Sequence, residues 1–167
     1  MHNDSLVKKL SQSVKLFAGL SHEDIREFIS NCRKIEAAQG DVVIRQGLQG
    51  REMYILVAGS LEVQRETTLD VKILATLQPG EVFGELAILD QLPRSATVKA
   101  ASHCLLLAFE RSSLVRIPNV APKLFRNVAL ILSERLRETN ELLSITLSEP
   151  KTRPVAEPGR HHQTRHR

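Results

Sequence analysis

The chain lacks any apolar run long enough to cross a bilayer. Its longest, Leu105–Phe109 and Val128–Leu132, fall far short of the ~20 residues a spanning helix needs. The amino-terminal segment Met1–Lys9 has no apolar core of a secretory leader. Both absences give a cytoplasmic location, without membrane insertion, as the expectation. There are only two cysteines, Cys32 and Cys104, far apart and outside any Cys-x-x-Cys pattern. They read as small buried hydrophobes and not as a disulfide or zinc site. His2, His22 and His103 are scattered, and no Ser/His/Asp set or paired carboxylates stand out. His161, His162 and His166 lie in a segment with nothing to fix ligand geometry. No catalysis, metal or cofactor is expected. Charge of one sign is missing from the body too. Residues 150–167 take five of the 23 Lys and Arg residues but one of the 19 Asp and Glu residues, so the rest balances at 18 of each. The basicity belongs to the tail, and specific nucleic-acid binding by the body is not expected.

What remains is an ordinary globular composition, 42% hydrophobic and 25% charged over 167 residues, enough for one domain with appended helices. Leu6, Leu10 and Val14 fall on one face of a short helix over Leu6–Leu16. Ser21 with Asp24 three residues on predicts a capped helix running to about Asn31. From Arg33 the period changes. Val42–Ile44, Met53–Val57, Leu61–Val63, Thr97–Ala100 and Ser102–Phe109 are strand-like and punctuated by glycines. Val71, Ile73, Ala75 and Leu77 alternate with polar Lys72 and Thr76, which predicts a half-buried strand. Six to eight short strands with frequent turns make a sandwich or a barrel-like roll. Ser112 can cap a short helix ending near Ile117-Pro118. A long helix follows, from about Val120 to Leu147, with Pro122 in its first turn and Pro150 closing it.

The chemistry concentrates in Phe83-Gly84-Glu85-Leu86-Ala87, a spacer, then Arg94-Ser95-Ala96. Gly84 admits close backbone approach. Residues Glu85–Leu89 suffice for one helical turn, whose unpaired N–H groups attract an anion. Arg94 offers a fork of donors matched to a phosphate, and Ser95 adds a hydroxyl. On residues alone, a loop stabilised by a Glu85–Arg94 ion pair is the plain alternative.

This segment resembles the phosphate-binding cassette of cyclic nucleotide-binding domains. Leu16-Phe17 before Gly19-Leu20-Ser21, and the glycine spacing around Gly47, Gly50 and Gly59, are similar to the lead-in helices and first half of the same family's β-roll. Leu48 departs from the family pattern, where a small or polar residue is usual, and is expected to alter a turn only. The resemblance implies an α+β, mainly β architecture: an antiparallel β-roll or jelly-roll barrel with N-terminal helices and a long C-terminal helix. The divisions are residues 1–32 (helices), 33–110 (roll), 111–148 (short and long helices) and 149–167 (a disordered basic tail). It also implies that Arg94, Ser95 and N–H groups near Ala87 take the phosphate, with Gly84, Leu86 and Ala96 shaping the cradle. Glu85 takes the ribose 2′-hydroxyl. A ligand lacking that hydroxyl would leave the carboxylate unpaired.

Arg135 to Glu141 resembles the dimer helix of bacterial catabolite activator-type regulators, where a threonine and the next polar residue contact adenine from the two subunits. That places Thr139 and Asn140 at the base. Leu124, Val128 and Ile131 can cover the roll, while Phe125, Ala129, Leu132, Leu136, Thr139, Leu143 and Thr146 keep a 4,3 spacing. A homodimer seam is the reading preferred, against a helix packed wholly on its own domain. About twenty residues remain beyond the helix, too few for a helix-turn-helix. The expectation is a non-enzymatic cyclic nucleotide receptor acting on a protein effector the sequence does not name. Its ligand is cyclic AMP by preference or cyclic GMP. The alternatives are a scaffold that has lost its ligand, or a piece of a DNA-binding regulator.

Overall fold

A computed structural model describes residues 2–90 and 92–148. Three α-helices, α1 (His2–Ser13), α2 (His22–Ser30) and the one-turn α3 (Leu86–Leu89), are joined by a fourth, α4 (Ala121–Ser148). Eight strands lie between α2 and α4: β1 (Cys32–Ala37), β2 (Val42–Ile44), β3 (Glu52–Ala58), β4 (Leu61–Glu66), β5 (Val71–Leu77), β6 (Val82–Phe83), β7 (Thr97–Ala100) and β8 (Cys104–Glu110). They form two four-stranded sheets, β1-β8-β3-β6 and β2-β7-β4-β5, with every pairing antiparallel. The fold is the mainly antiparallel roll that the residues predict, with helices at either end of the sequence. Among the described residues no helix is long and apolar enough to cross a membrane.

Why β3 and β8 read as unbroken apolar runs is now clear: both of their faces are buried. Met53 and Ile55 of β3, with Leu107 and Phe109 of β8, pack under the helices against Leu10, Phe17, Phe28 and Val128. Their alternates Tyr54, Leu56, Leu106 and Ala108 fill the space between the sheets with Ile44, Leu61, Phe83 and Val98. Three rings knit the helical side, Phe28 stacked on Phe109 at 4.6 Å and edge-on to Phe17 at 5.3 Å.

The helix ends follow their chemistry. Ser21 closes a capping box with Asp24 at the start of α2. Lys123 of α4 donates to the same carboxylate at 2.6 Å. That hydrogen bond, followed by the Ser21 amide, holds the Asp24 carboxyl below its ordinary range. The tie therefore persists at neutral pH and is lost as pH falls through that lowered pKa.

Three expectations need correcting, and one strand went unread. The first helix stops at Ser13, and Lys15–Phe17 is a 3₁₀ turn. β5, an edge strand that pairs among the described residues only with β4, is exposed from Val71 to Thr76 and buried only at Leu77, not half-buried. The short helix after β8 is a 3₁₀ turn over Arg111–Arg116 that begins after Glu110, and Ser112 does not cap it. β1 went unread because Arg33, Lys34 and Glu36 break its alternation. Cys104 is fully buried, whereas Cys32 is only partly so; burial pushes its thiol up to about 12.

By internal contacts the chain divides into 1–133 and 134–167. In the first unit Leu124, Val128 and Ile131 are buried against the helical cluster, and Leu132 is half-buried beside them. In the second, Leu136, Leu142, Leu143 and Ile145 are each more than half exposed. Pro150 and the tail histidines lie outside the described residues.

Candidate ligand site

The site grows from the end of β6. Phe83 pairs with Tyr54, and their rings stack at 5.1 Å. The chain then turns through Gly84 at φ +70°, a left-handed conformation that disfavours a side chain. A Cβ there would also lie 2.7 Å from the Arg94 guanidinium. Glu85 follows in helical conformation, accepts the Ile88 N–H at its carbonyl, and starts α3. Its side chain is only 5% exposed.

Arg94 reaches the same place from the other side. Its backbone pairs both ways with the β2–β3 loop: Arg94 N–H donates to Leu48 O at 2.9 Å, and Gly47 N–H donates to Arg94 O at 2.8 Å. The guanidinium is aimed by two backbone carbonyls. Nη1 donates to Gly84 O at 2.9 Å and Nη2 to Glu52 O at 2.6 Å. It lies over the Tyr54 ring, 5.9 Å from the centroid. Gly50 makes room for it, since a Cβ there would stand 2.0 Å from Nε. Burial lowers the pKa of Arg94, while Tyr54, Glu52 and Glu85 raise it. A guanidinium stays charged through such shifts. Tyr54 is in turn held by Glu52, donating its hydroxyl to Oε2 at 2.9 Å; burial first, and that hydrogen bond next, push the phenol up to about 12.

The structure thus brings Gly84, Glu85 and Arg94 together. Leu86 at 41% exposed and Ser95, also exposed, border them, with Ala96 half-buried. Ala87 contributes backbone to α3. Thr139 and Asn140 lie in the second unit, both exposed, with the Thr139 hydroxyl donating to Arg135 O at 2.8 Å. Sequence reading missed Gly50, Tyr54 and the Glu52 carbonyl. Gly50 alone left a signal, as one of the spaced glycines. Arg94 also borders an open cavity of about 350 Å³, whose wall mixes Arg45 and Arg51 with Glu52 and Glu110.

Chemically the arrangement is a buried carboxylate at the start of α3 and an aimed cationic fork from the segment before β7. It suits a small ligand that carries both an anionic group and a hydroxyl.

Comparison with known proteins agrees. Residues 34–119, about half the chain, match the model of the cyclic nucleotide-binding domain. A "Cyclic AMP receptor protein" from Thermus thermophilus is 33% identical over 83% of this chain and 65% of its own length. A "cAMP-dependent protein kinase regulatory subunit" from Mycosarcoma maydis is 36% identical over 58% of this chain and 18% of its own. The chain therefore spans less than two thirds of either relative. The crystal structure of Thermus thermophilus catabolite activator protein superposes with a TM-score of 0.72 at 32% identity, over 79% of this chain and 62% of that one. The cassette, the roll that carries it and these likenesses agree: the chain belongs to the cyclic nucleotide-binding domain family.

Proposed function

We propose that this chain is a non-enzymatic receptor for cyclic AMP that signals through α4. The observation carrying the reading is the pairing of an aimed Arg94 fork with the buried Glu85 carboxylate beside it. Arg94, with the Ser95 hydroxyl and N–H groups of the turn, takes the cyclic phosphate. The guanidinium has more N–H donors than its two carbonyl partners use. Glu85 accepts from the ribose 2′-hydroxyl. The relatives' printed names, a cyclic AMP receptor and kinase regulatory subunits, support adenine over guanine.

Titration calorimetry with cyclic AMP, cyclic GMP and 2′-deoxy cyclic AMP tests this. Cyclic AMP is expected to bind more tightly than cyclic GMP. The 2′-deoxy ligand is expected to lose about tenfold or more, because the charge-assisted hydrogen bond between its hydroxyl and Glu85 is gone, and Glu85→Gln should narrow that gap. No heat and no thermal shift with either natural nucleotide would instead make the chain a scaffold, since a ligand of the native state must stabilise it.

The exposed leucines of α4 favour a homodimer in which Thr139 and Asn140 approach the base. Sedimentation equilibrium is expected to give twice the chain mass for wild type, and Leu136→Glu with Leu143→Glu should give a monomer. A monomeric wild type would remove both residues from the site.

A further inference from the structure

α3 is only four residues long, Leu86–Leu89. It is a single turn closed by the Ile88 N–H on Glu85 O and the Asp90 N–H on Leu86 O, so its two ends lie within one pair of overlapping hydrogen bonds. Its first end carries Glu85 and the proposed ligand groups. Its last carbonyls need partners from outside the helix, as those of any helix do. Arg111 supplies them. Nη1 donates to Ile88 O at 2.6 Å and to Leu89 O at 3.2 Å. A cation at that end is also what the helix dipole favours.

Arg111 opens the 3₁₀ turn after β8, and its own N–H donates to Arg51 O at 2.8 Å. Arg51 sits between Gly50 and Glu52, the two residues that seat Arg94. After the 3₁₀ turn ends at Arg116 the chain passes through Ile117 and Val120, both fully buried in the helical cluster, into α4. One residue thus joins three parts: its side chain holds the far end of the cassette turn, its backbone N–H holds the loop behind Arg94, and its place in the chain starts the segment that feeds α4.

We infer that Arg111 is a positioning residue for the ligand site, bracing α3 and carrying its displacement to residues 112–120. This rests on the cyclic nucleotide reading for its ligand arm only. The brace itself is a property of the ligand-free protein.

The test uses the full chain as wild type, Arg111→Lys, Arg111→Gln and Arg111→Ala, followed by residue-resolved hydrogen exchange. The amides of Ile88 and Asp90, which bond Glu85 O and Leu86 O, report on α3, and Ile55 of β3 reports on global stability. Without ligand, the glutamine and alanine variants are expected to exchange about tenfold faster at Ile88 and Asp90, with Ile55 unchanged. Lysine should restore much of the protection. Equal α3 rates in all four proteins would overturn the brace, as would acceleration of Ile55 to the same degree. In the second arm, cyclic AMP is expected to change exchange across residues 112–120 in wild type and not in Arg111→Gln, which should bind about tenfold more weakly. An undiminished response in that variant would overturn the relay. If wild type binds no cyclic nucleotide, the functional reading and the relay fail together, while the ligand-free arm still decides the brace.

Discussion

Arg94→Ala is expected to lower cyclic AMP affinity by about a hundredfold or more in calorimetry, the scale expected when one partner of a desolvated charge pair is removed. The fold survives the change. Arg94 contributes two hydrogen bonds to backbone carbonyls, so at about 1 kcal/mol each the ligand-free protein should melt about 4–8 °C lower. Separating those two effects is what makes the result informative, because a binding loss caused by unfolding would come with a much larger thermal shift. Arg94→Lys keeps the charge but not the planar fork, and one ammonium cannot serve both carbonyls and an anion in the same geometry. It should recover part of the affinity and remain at least about tenfold weaker than wild type. Wild-type affinity in both variants would take Arg94 out of the site.

Gly50→Ala should reproduce that loss without touching the arginine. The new methyl would stand 2.0 Å from Nε and 2.4 Å from Cζ of Arg94, so the guanidinium must leave its seat. Gly50 has no left-handed backbone to strain, and nothing rigid stands in the way, since the colliding atoms are the end of a long side chain. The expected outcome is an affinity drop of about tenfold or more, with a melting temperature close to that of Arg94→Ala. The double variant supplies the decisive comparison. If Gly50 acts only through Arg94, Gly50→Ala with Arg94→Ala binds no worse than Arg94→Ala alone. Additive losses would mean that Gly50 serves the ligand by a separate route, and an unimpaired Gly50→Ala would show that the seat is not needed.

How much of this was legible beforehand depended on what kind of atom did the work. Gly84, Glu85 and Arg94 could be read because their side chains, or the lack of one, carry their roles. The partners that aim Arg94 could not, because the carbonyls of Gly84 and Glu52 belong to the backbone and any residue supplies one. Arg111 was invisible for the same reason, since it bonds the carbonyls of Ile88 and Leu89 from more than twenty residues away. Among the strands, β3 and β8 declared themselves by burial on both faces. β5 misled, because its apolar alternation sits on an outer strand, while β1 hid its place behind charged residues. The base-recognition residues rest on resemblance alone, and no local pattern distinguishes a threonine at a seam from one at a ligand.

Asn127 sits on α4 at 2% exposure, with its amide nitrogen donating to Leu16 O at 2.8 Å and Ala18 O at 2.9 Å. The base of α4 is therefore fastened to the turn after α1, more than a hundred residues earlier in the chain. Any swing of α4 from its first turn must drag that turn along or break two buried hydrogen bonds. The N-terminal segment is thus ballast on the lever as well as cover for the sheet. A shortened chain lacking it would gain a looser α4 along with an unprotected core.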